Sequence, residues 1–142
     1  MADHPFAFAL EEANNAQAWT YQRRVAQAIR RVLPGDNNRG EWTVTLISGA
    51  SCRRHDTGIG DITAQTRQVC ENLKAAVEAE GGTMNDICRV DVYVRDIEQF
   101  EAIHKVRREY FKAPLPASTM VEVTKMVSPD YLIEISAIAV IP

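Results

Sequence analysis

Cysteine is scarce in this chain. There are three, Cys52, Cys70 and Cys88, and no two of them form a C-x-x-C pair. An odd count at irregular spacing excludes a disulfide framework and fits no zinc-ligand pattern. The three read as reduced thiols acting as small apolar side chains. Long hydrophobic runs are also lacking. No stretch reaches the about 18 apolar residues that a membrane-spanning helix needs, so no membrane partner is expected. Surplus positive charge is missing too, since 16 Lys and Arg against 19 Asp and Glu leave a net charge of −3. Nucleic-acid binders concentrate basic residues on one face, often interleaved with aromatics. Here basic stretches such as Arg23-Arg24 with Arg30-Arg31, and Arg53-Arg54, are balanced by acids elsewhere. Nucleic acid is therefore not an expected partner, and ribonuclease chemistry is the weakest of the readings.

What is present fits one globular domain. The chain has 142 residues, 46% hydrophobic and 25% charged, enough to bury a core without staples. Met1-Ala2-Asp3-His4-Pro5 carries an acid where a secretory signal would carry lysines, and no long apolar segment follows. A cytoplasmic location is the expectation.

The pattern along the chain alternates helix and strand. Phe8 to Leu33 favours helix, with Val25, Ala26, Ile29, Val32 and Leu33 three or four apart. The run from Pro34 to Gly40 breaks regular structure. Trp42 to Ile47 alternates as a strand, and Ser48 to Gly60 reads as a polar loop. Asp61 is placed to cap a helix whose stripe is Val69, Cys70, Leu73, Ala76 and Val77, ending at Gly81-Gly82. Ile87 to Val94 is a half-buried strand, with Val90, Val92 and Val94 opposite Arg89, Asp91 and Tyr93. Ile97, Phe100, Ile103, Tyr110 and Phe111 mark a further helix that stops before Pro114 and Pro116. Thr119 to Thr124 and Leu132 to Val140 are strands joined by a turn at Val127-Ser128-Pro129-Asp130. The order predicts an α/β domain with a single sheet and the two later helices on one face. The other face stays partly apolar and needs a cover, for which self-association is the simplest source.

From Ser48 onward the chain resembles the Rid/YjgF family. The similarity lies in SGAS (48–51), GDITAQTRQVCENLKAAVEAEGGTMNDICRVDVYVRD (60–96), YFKAPLPASTMVEV (110–123) and YLIEISAIAVIP (131–142). The resemblance implies a chorismate-mutase-like fold, a homotrimer, and clefts lined by two neighbouring subunits. It implies hydrolysis of reactive enamines or imines with release of ammonia and no metal or organic cofactor. Residues 41–142 form the family-like core; 1–40 are a divergent, helical N-terminal segment.

One departure bears on chemistry. The family pattern before its third strand reads P-A-R-[TS], and this chain reads Pro116-Ala117-Ser118-Thr119. The family arginine holds a substrate carboxylate with two parallel hydrogen bonds. One neutral hydroxyl cannot do the same. Ser118 and Met120 share a strand face and match cleft positions. His104 stands where the family often has asparagine, and its alternative role is structural, at the edge of an apolar stripe. Glu134 matches a carboxylate that orients the attacking water, the alternative being a solvated strand position in parity with Ser136. Arg53 and Arg54 resemble a paired arginine of 2-aminomuconate deaminases and would hold an acid group; solvated loop charge is the alternative. Cys52 lies beside them, where an arginine would lower its pKa.

Two functions follow. The first is a cofactor-independent deaminase with Glu134, Ser118 and His104 in catalytic roles and Arg53, Arg54, Met120 and Cys52 binding substrate. The second is a metabolite-binding or regulatory trimer without turnover, or a specialised pathway enzyme on the same fold.

Overall fold

The computed structural model describes residues 31–33, 42–51 and 58–142, with the backbone alone for 31–33, 49 and 50. Five strands form one mixed sheet: β1 (Arg31–Leu33), β2 (Trp42–Ser51), β3 (Ile87–Val94), β4 (Ala117–Glu122) and β5 (Ile133–Ile141), in the order β1-β2-β5-β3-β4. Among neighbouring strands only β3 and β4 run parallel. A parallel neighbour needs a crossover, and helix α2 (Phe100–Tyr110) supplies it. Helix α1 (Ile62–Ala79) makes the earlier crossover from β2 to β3.

The alternation in the sequence becomes a two-sided sheet. Along β5, every odd residue from Ile133 to Ile141 is buried and every even one is half-buried. Register carries that parity across the sheet. Val90, Val92 and Val94 pair with Ala137, Ile135 and Ile133, and Thr45 and Ile47 pair with Ala139 and Ala137. These residues form the floor on which Val69, Cys70, Leu73, Val77 and Ile103 pack. Each fully buried Val, Leu or Ile here contributes about 1.5–3 kcal/mol. On the other face lie Val44, Leu46, Ile138, Val140 and Tyr93, half-buried, with Val121 42% exposed. Among the described residues, no helix covers that face.

Local chemistry sets the ends of α1. Asp61 accepts from the backbone amides of Thr63 and Ala64 at 2.9 and 3.1 Å, as an N-cap does. At the other end Gly81 adopts φ +85°. Its amide bonds Glu78 O, and the Gly82 amide bonds Val77 O, both at 3.0 Å, a Schellman closure. Gly82 must also be small, because a Cβ there would sit 2.7 Å from Ile141 Cγ1. Gln65 gives the AQTRQ segment a physical meaning. Its buried amide donates to Gly58 O and Asp130 O and accepts from Leu132 N, at 3.1, 2.7 and 2.9 Å. One side chain thus ties the start of α1 to the entry of β5.

Three expectations change. Arg31, Val32 and Leu33 pair with Val44, Thr43 and Trp42 as a strand, although their spacing continued a helical stripe. The remainder of that N-terminal helical reading lies outside the described residues. β2 runs on to Ser51 through an irregularity between Ile47 and Ala50, so Ser48 to Ser51 belong to the sheet rather than to a loop. The helix expected from Ile97 opens with a 3-10 turn at Ile97–Gln99.

Candidate functional site

The expected site residues divide between the two faces of the sheet. Ser118 and Met120 pair with Val90 and Val92, so both point to the helix-covered face at the edge strand β4. Glu134 pairs with Tyr93 and Ser51 and has the opposite parity to the buried Ile133 and Ile135, so it points to the other face. Within one chain Ser118 and Glu134 do not share a pocket. Cys52, Arg53 and Arg54 lie outside the described residues.

The covered edge is built by α2. Phe100, His104, Arg107 and Phe111 recur at three- and four-residue intervals and share one flank of the helix. The Phe100 and His104 rings stack with centroids 5.2 Å apart and 15° between planes. The Arg107 guanidinium lies 5.8 Å from the Phe111 ring centroid. Arg107 Nη2 donates to Ser118 Oγ at 2.8 Å. Arg107 is only 9% exposed, yet Ser118 is exposed. Burial pushes the pKa of Arg107 down, with the Cys70 thiol opposing that shift. Four buried side-chain polar atoms lack a hydrogen-bond partner among the described residues, and two of them, Arg107 Nε and His104 Nδ1, belong to this flank. Arg107 was not singled out from sequence; it falls beside Ile103 and Val106 on the buried side of α2, and its contact with Ser118 depends on the crossover.

The opposite face carries a concavity of about 330 Å3, lined by Tyr93, Val123, Lys125, Met126, Val127 and Glu134. Val127 is 93% exposed, so one wall is an apolar side chain standing in solvent. Lys125 and Tyr93 were not singled out from sequence. They reach Glu134 through the turn after β4 and through strand pairing, neither of which has a local signature. Chemically, this groove offers a carboxylate, a cation and a phenol to a small polar molecule. Among the described residues no group of three or more His, Cys, Asp or Glu is arranged to hold a metal ion. No helix among them is long and apolar enough to cross a membrane.

An antiparallel-rich sheet with one parallel edge, two crossover helices on one face and a second face that no described helix covers defines a small α/β domain of the chorismate-mutase-like kind. Residues 42–141 match the family described as Endoribonuclease L-PSP. A RutC family protein of Pyrococcus horikoshii is 49% identical over 80 residues, which span 56% of this chain and 63% of that protein. The chain thus spans less than two thirds of that relative's length. A 2-iminobutanoate/2-iminopropanoate deaminase of Dermatophagoides farinae is 34% identical over 93 residues, covering 66% of this chain and 72% of that one. The crystal structure of the YjgF gene product of E. coli superposes with a TM-score of 0.62 at 36% identity, covering 68% of this chain and 80% of that one. The chain belongs to the Rid/YjgF family, the family of the Endoribonuclease L-PSP description.

Proposed function

We propose that this protein is a cofactor-independent deaminase that hydrolyses a small enamine or imine in a cleft between subunits of a homotrimer. The observation that carries the reading is Glu134, a half-buried carboxylate in a groove on the sheet face that the described helices leave uncovered. An ionisable group interrupting an apolar strand is costly unless a ligand or partner uses it. The similarity to an imine deaminase supplies the reaction class.

The chemistry is short. Water adds its oxygen to the carbon of the protonated imine while the C=N π pair moves to nitrogen. Glu134 orients that water and takes the proton it loses. Transfer of this proton to nitrogen makes ammonia the leaving group. The C–N bond then breaks, the hydroxyl oxygen forms the carbonyl, and its proton is released.

Ser118, Met120 and His104 belong to the same cleft in this reading, contributed by a second copy. Their position on the opposite sheet face requires a seam between chains, since β4 is an outer strand. The apolar residues Leu46, Ile138 and Val140 on the bare face supply the surface that neighbours would bury. Arg53, Arg54 and Cys52, in the segment that follows β2 in the sequence, bind the substrate in this reading.

The test is ammonia release from imines generated in solution by an amino-acid oxidase. Wild-type protein should accelerate it over buffer, and Glu134→Gln should lose about 100-fold or more in rate, the usual scale for a removed general base. Full activity in Glu134→Gln removes the assignment. A second reading is favoured by Ser118, which lacks the charge of the family arginine. In it the trimer binds a metabolite without turnover, and the wild type then shows binding with no acceleration.

A further inference from the structure

We infer that Arg107, with Ser118 as its outer partner, forms a seat for a carboxylate between α2 and the edge strand β4. The inference rests on the deaminase reading only for the identity of the ligand that brings the carboxylate.

A guanidinium stays protonated at any physiological pH. Arg107 is nine-tenths buried, yet its nearest polar partner is a neutral hydroxyl. Among the described residues the ion pairs are Arg67 with Glu109 and Arg89 with Asp91, and Arg107 joins neither. Its Nε is buried and has no acceptor among the described residues. Burying a cation without a counter-ion costs several kcal/mol, whereas a paired one is tolerated. The Phe111 ring, its centroid 5.8 Å from the guanidinium, offsets a part of that and supplies no acceptor. An anion is the missing component.

Geometry says where it goes and what it is. Arg107 is inside, and Ser118 is at the surface end of the same hydrogen bond. A ligand therefore meets the hydroxyl first and the guanidinium behind it. The planar fork of Nε and Nη2 matches the two oxygens of a carboxylate, and Nη2 already points to that edge. His104, one helical turn before Arg107, lies on the same flank, and its buried Nδ1 also lacks a partner among the described residues. The Ser118 hydroxyl then rotates to donate to one carboxylate oxygen while still accepting from Arg107. In this chain the positive charge has been supplied by the helix across from the strand, which leaves a serine sufficient on β4.

Binding of 2-oxobutanoate to the full chain, measured by calorimetry and by thermal shift, tests this; butanone, the same skeleton without the acid, is the control. The keto acid should bind and raise Tm, and butanone should not. Arg107→Met should weaken the keto acid about 10- to 100-fold, the worth of a charged hydrogen-bonded pair. Ser118→Ala should weaken it less, about 3- to 10-fold. Should Arg107→Met not fold, Arg107→Lys keeps the charge without the fork and should fall between wild type and Ser118→Ala or below. Ser118→Arg placed in the Arg107→Met background returns a guanidinium to the same edge and should recover binding.

Equal binding of acid and ketone overturns the inference. So does wild-type affinity in the Arg107 variants, or no binding of the acid at all. The two readings separate cleanly. A wild type that binds the acid but releases no ammonia loses the deaminase and keeps the seat. One that turns imines over with KM unchanged in Arg107→Met keeps the deaminase and loses the seat.

Discussion

The two faces of the sheet solve the same problem differently. On one, β5 presents Ile133, Ile135, Ala137, Ala139 and Ile141 to helices of the same chain, and all five are buried. On the other it presents Glu134, Ser136, Ile138 and Val140, all half-buried. The first face is finished by its own chain, so its residues answer to packing alone. The second mixes apolar residues with a carboxylate, a combination that serves association and chemistry better than it serves a core. Substitutions on the two faces should therefore be read by different measurements.

The sharpest test sets Leu73 against Ile138. Leu73 is fully buried between α1 and the sheet. Leu73→Ala is expected to cost about 2–5 kcal/mol of unfolding free energy, through lost transfer energy and the cavity left behind. Ile138→Asp lies on the bare face and should leave the secondary structure intact. It should instead raise the self-association midpoint at least about tenfold, as seen by sedimentation against concentration. Equal loss of stability in both variants, with assembly unchanged, would break the contrast between the faces.

Thiols give a second handle. Cys70 is wholly buried in the covered core and Cys88 is exposed. Burial pushes the Cys70 thiol up from 9.0 to about 12, with Arg107 opposing that shift. A raised pKa in the folded state favours folding fully below the unfolded value. That contribution is lost as pH rises from 9.0 towards 12. Between pH 8 and pH 10 the loss should be about 1–1.5 kcal/mol, measured by urea unfolding, and Cys70→Ala should flatten the slope. In a Cys52→Ser background, a thiol reagent should label Cys88 at once and Cys70 only on unfolding. Rapid labelling of both would mean that the covered face opens readily.

The covered face was legible in the sequence for a simple reason. Its elements are long and strongly periodic, so the stripe of α1, the alternation of β3 and the nearly continuous apolar run of β5 all emerge from spacing. Even the cap at Asp61 and the stop at Gly81-Gly82 are local. Arg31–Leu33 misled because Val32 and Leu33 extend a helical spacing, while their strand state depends on pairing with residues 42–44. The site was half legible. The parity of Glu134 with Ser136, and of Ser118 with Met120, could be read within each strand. That the two pairs face opposite ways emerges only from the register between strands, and the reach of Arg107 to Ser118 only from the crossover of α2. Resemblance pointed to the position where a charge was missing. It could not say that a guanidinium eleven residues back, on a helix, donates to the serine that stands there.

The smallest expected effect probes whether the faces are independent. Asp61 caps α1 through the Thr63 and Ala64 amides, and α1 touches only the covered side. Asp61→Ala should cost about 1 kcal/mol, because two amides of the first turn lose their acceptor and turn to water. If the bare face is built by the sheet alone, the self-association constant of this variant should stay that of wild type under conditions where the subunit remains folded. A parallel fall in assembly would show that fraying of α1 reaches the sheet. The link would then be Gln65, in the first turn of α1 and bonded to Leu132 and Asp130 at the entry of β5. Gln65→Leu, which keeps the volume and removes the bonds, separates these cases. It should reproduce the assembly defect if the link is real, and leave assembly alone if the two faces are as separate as their parity implies.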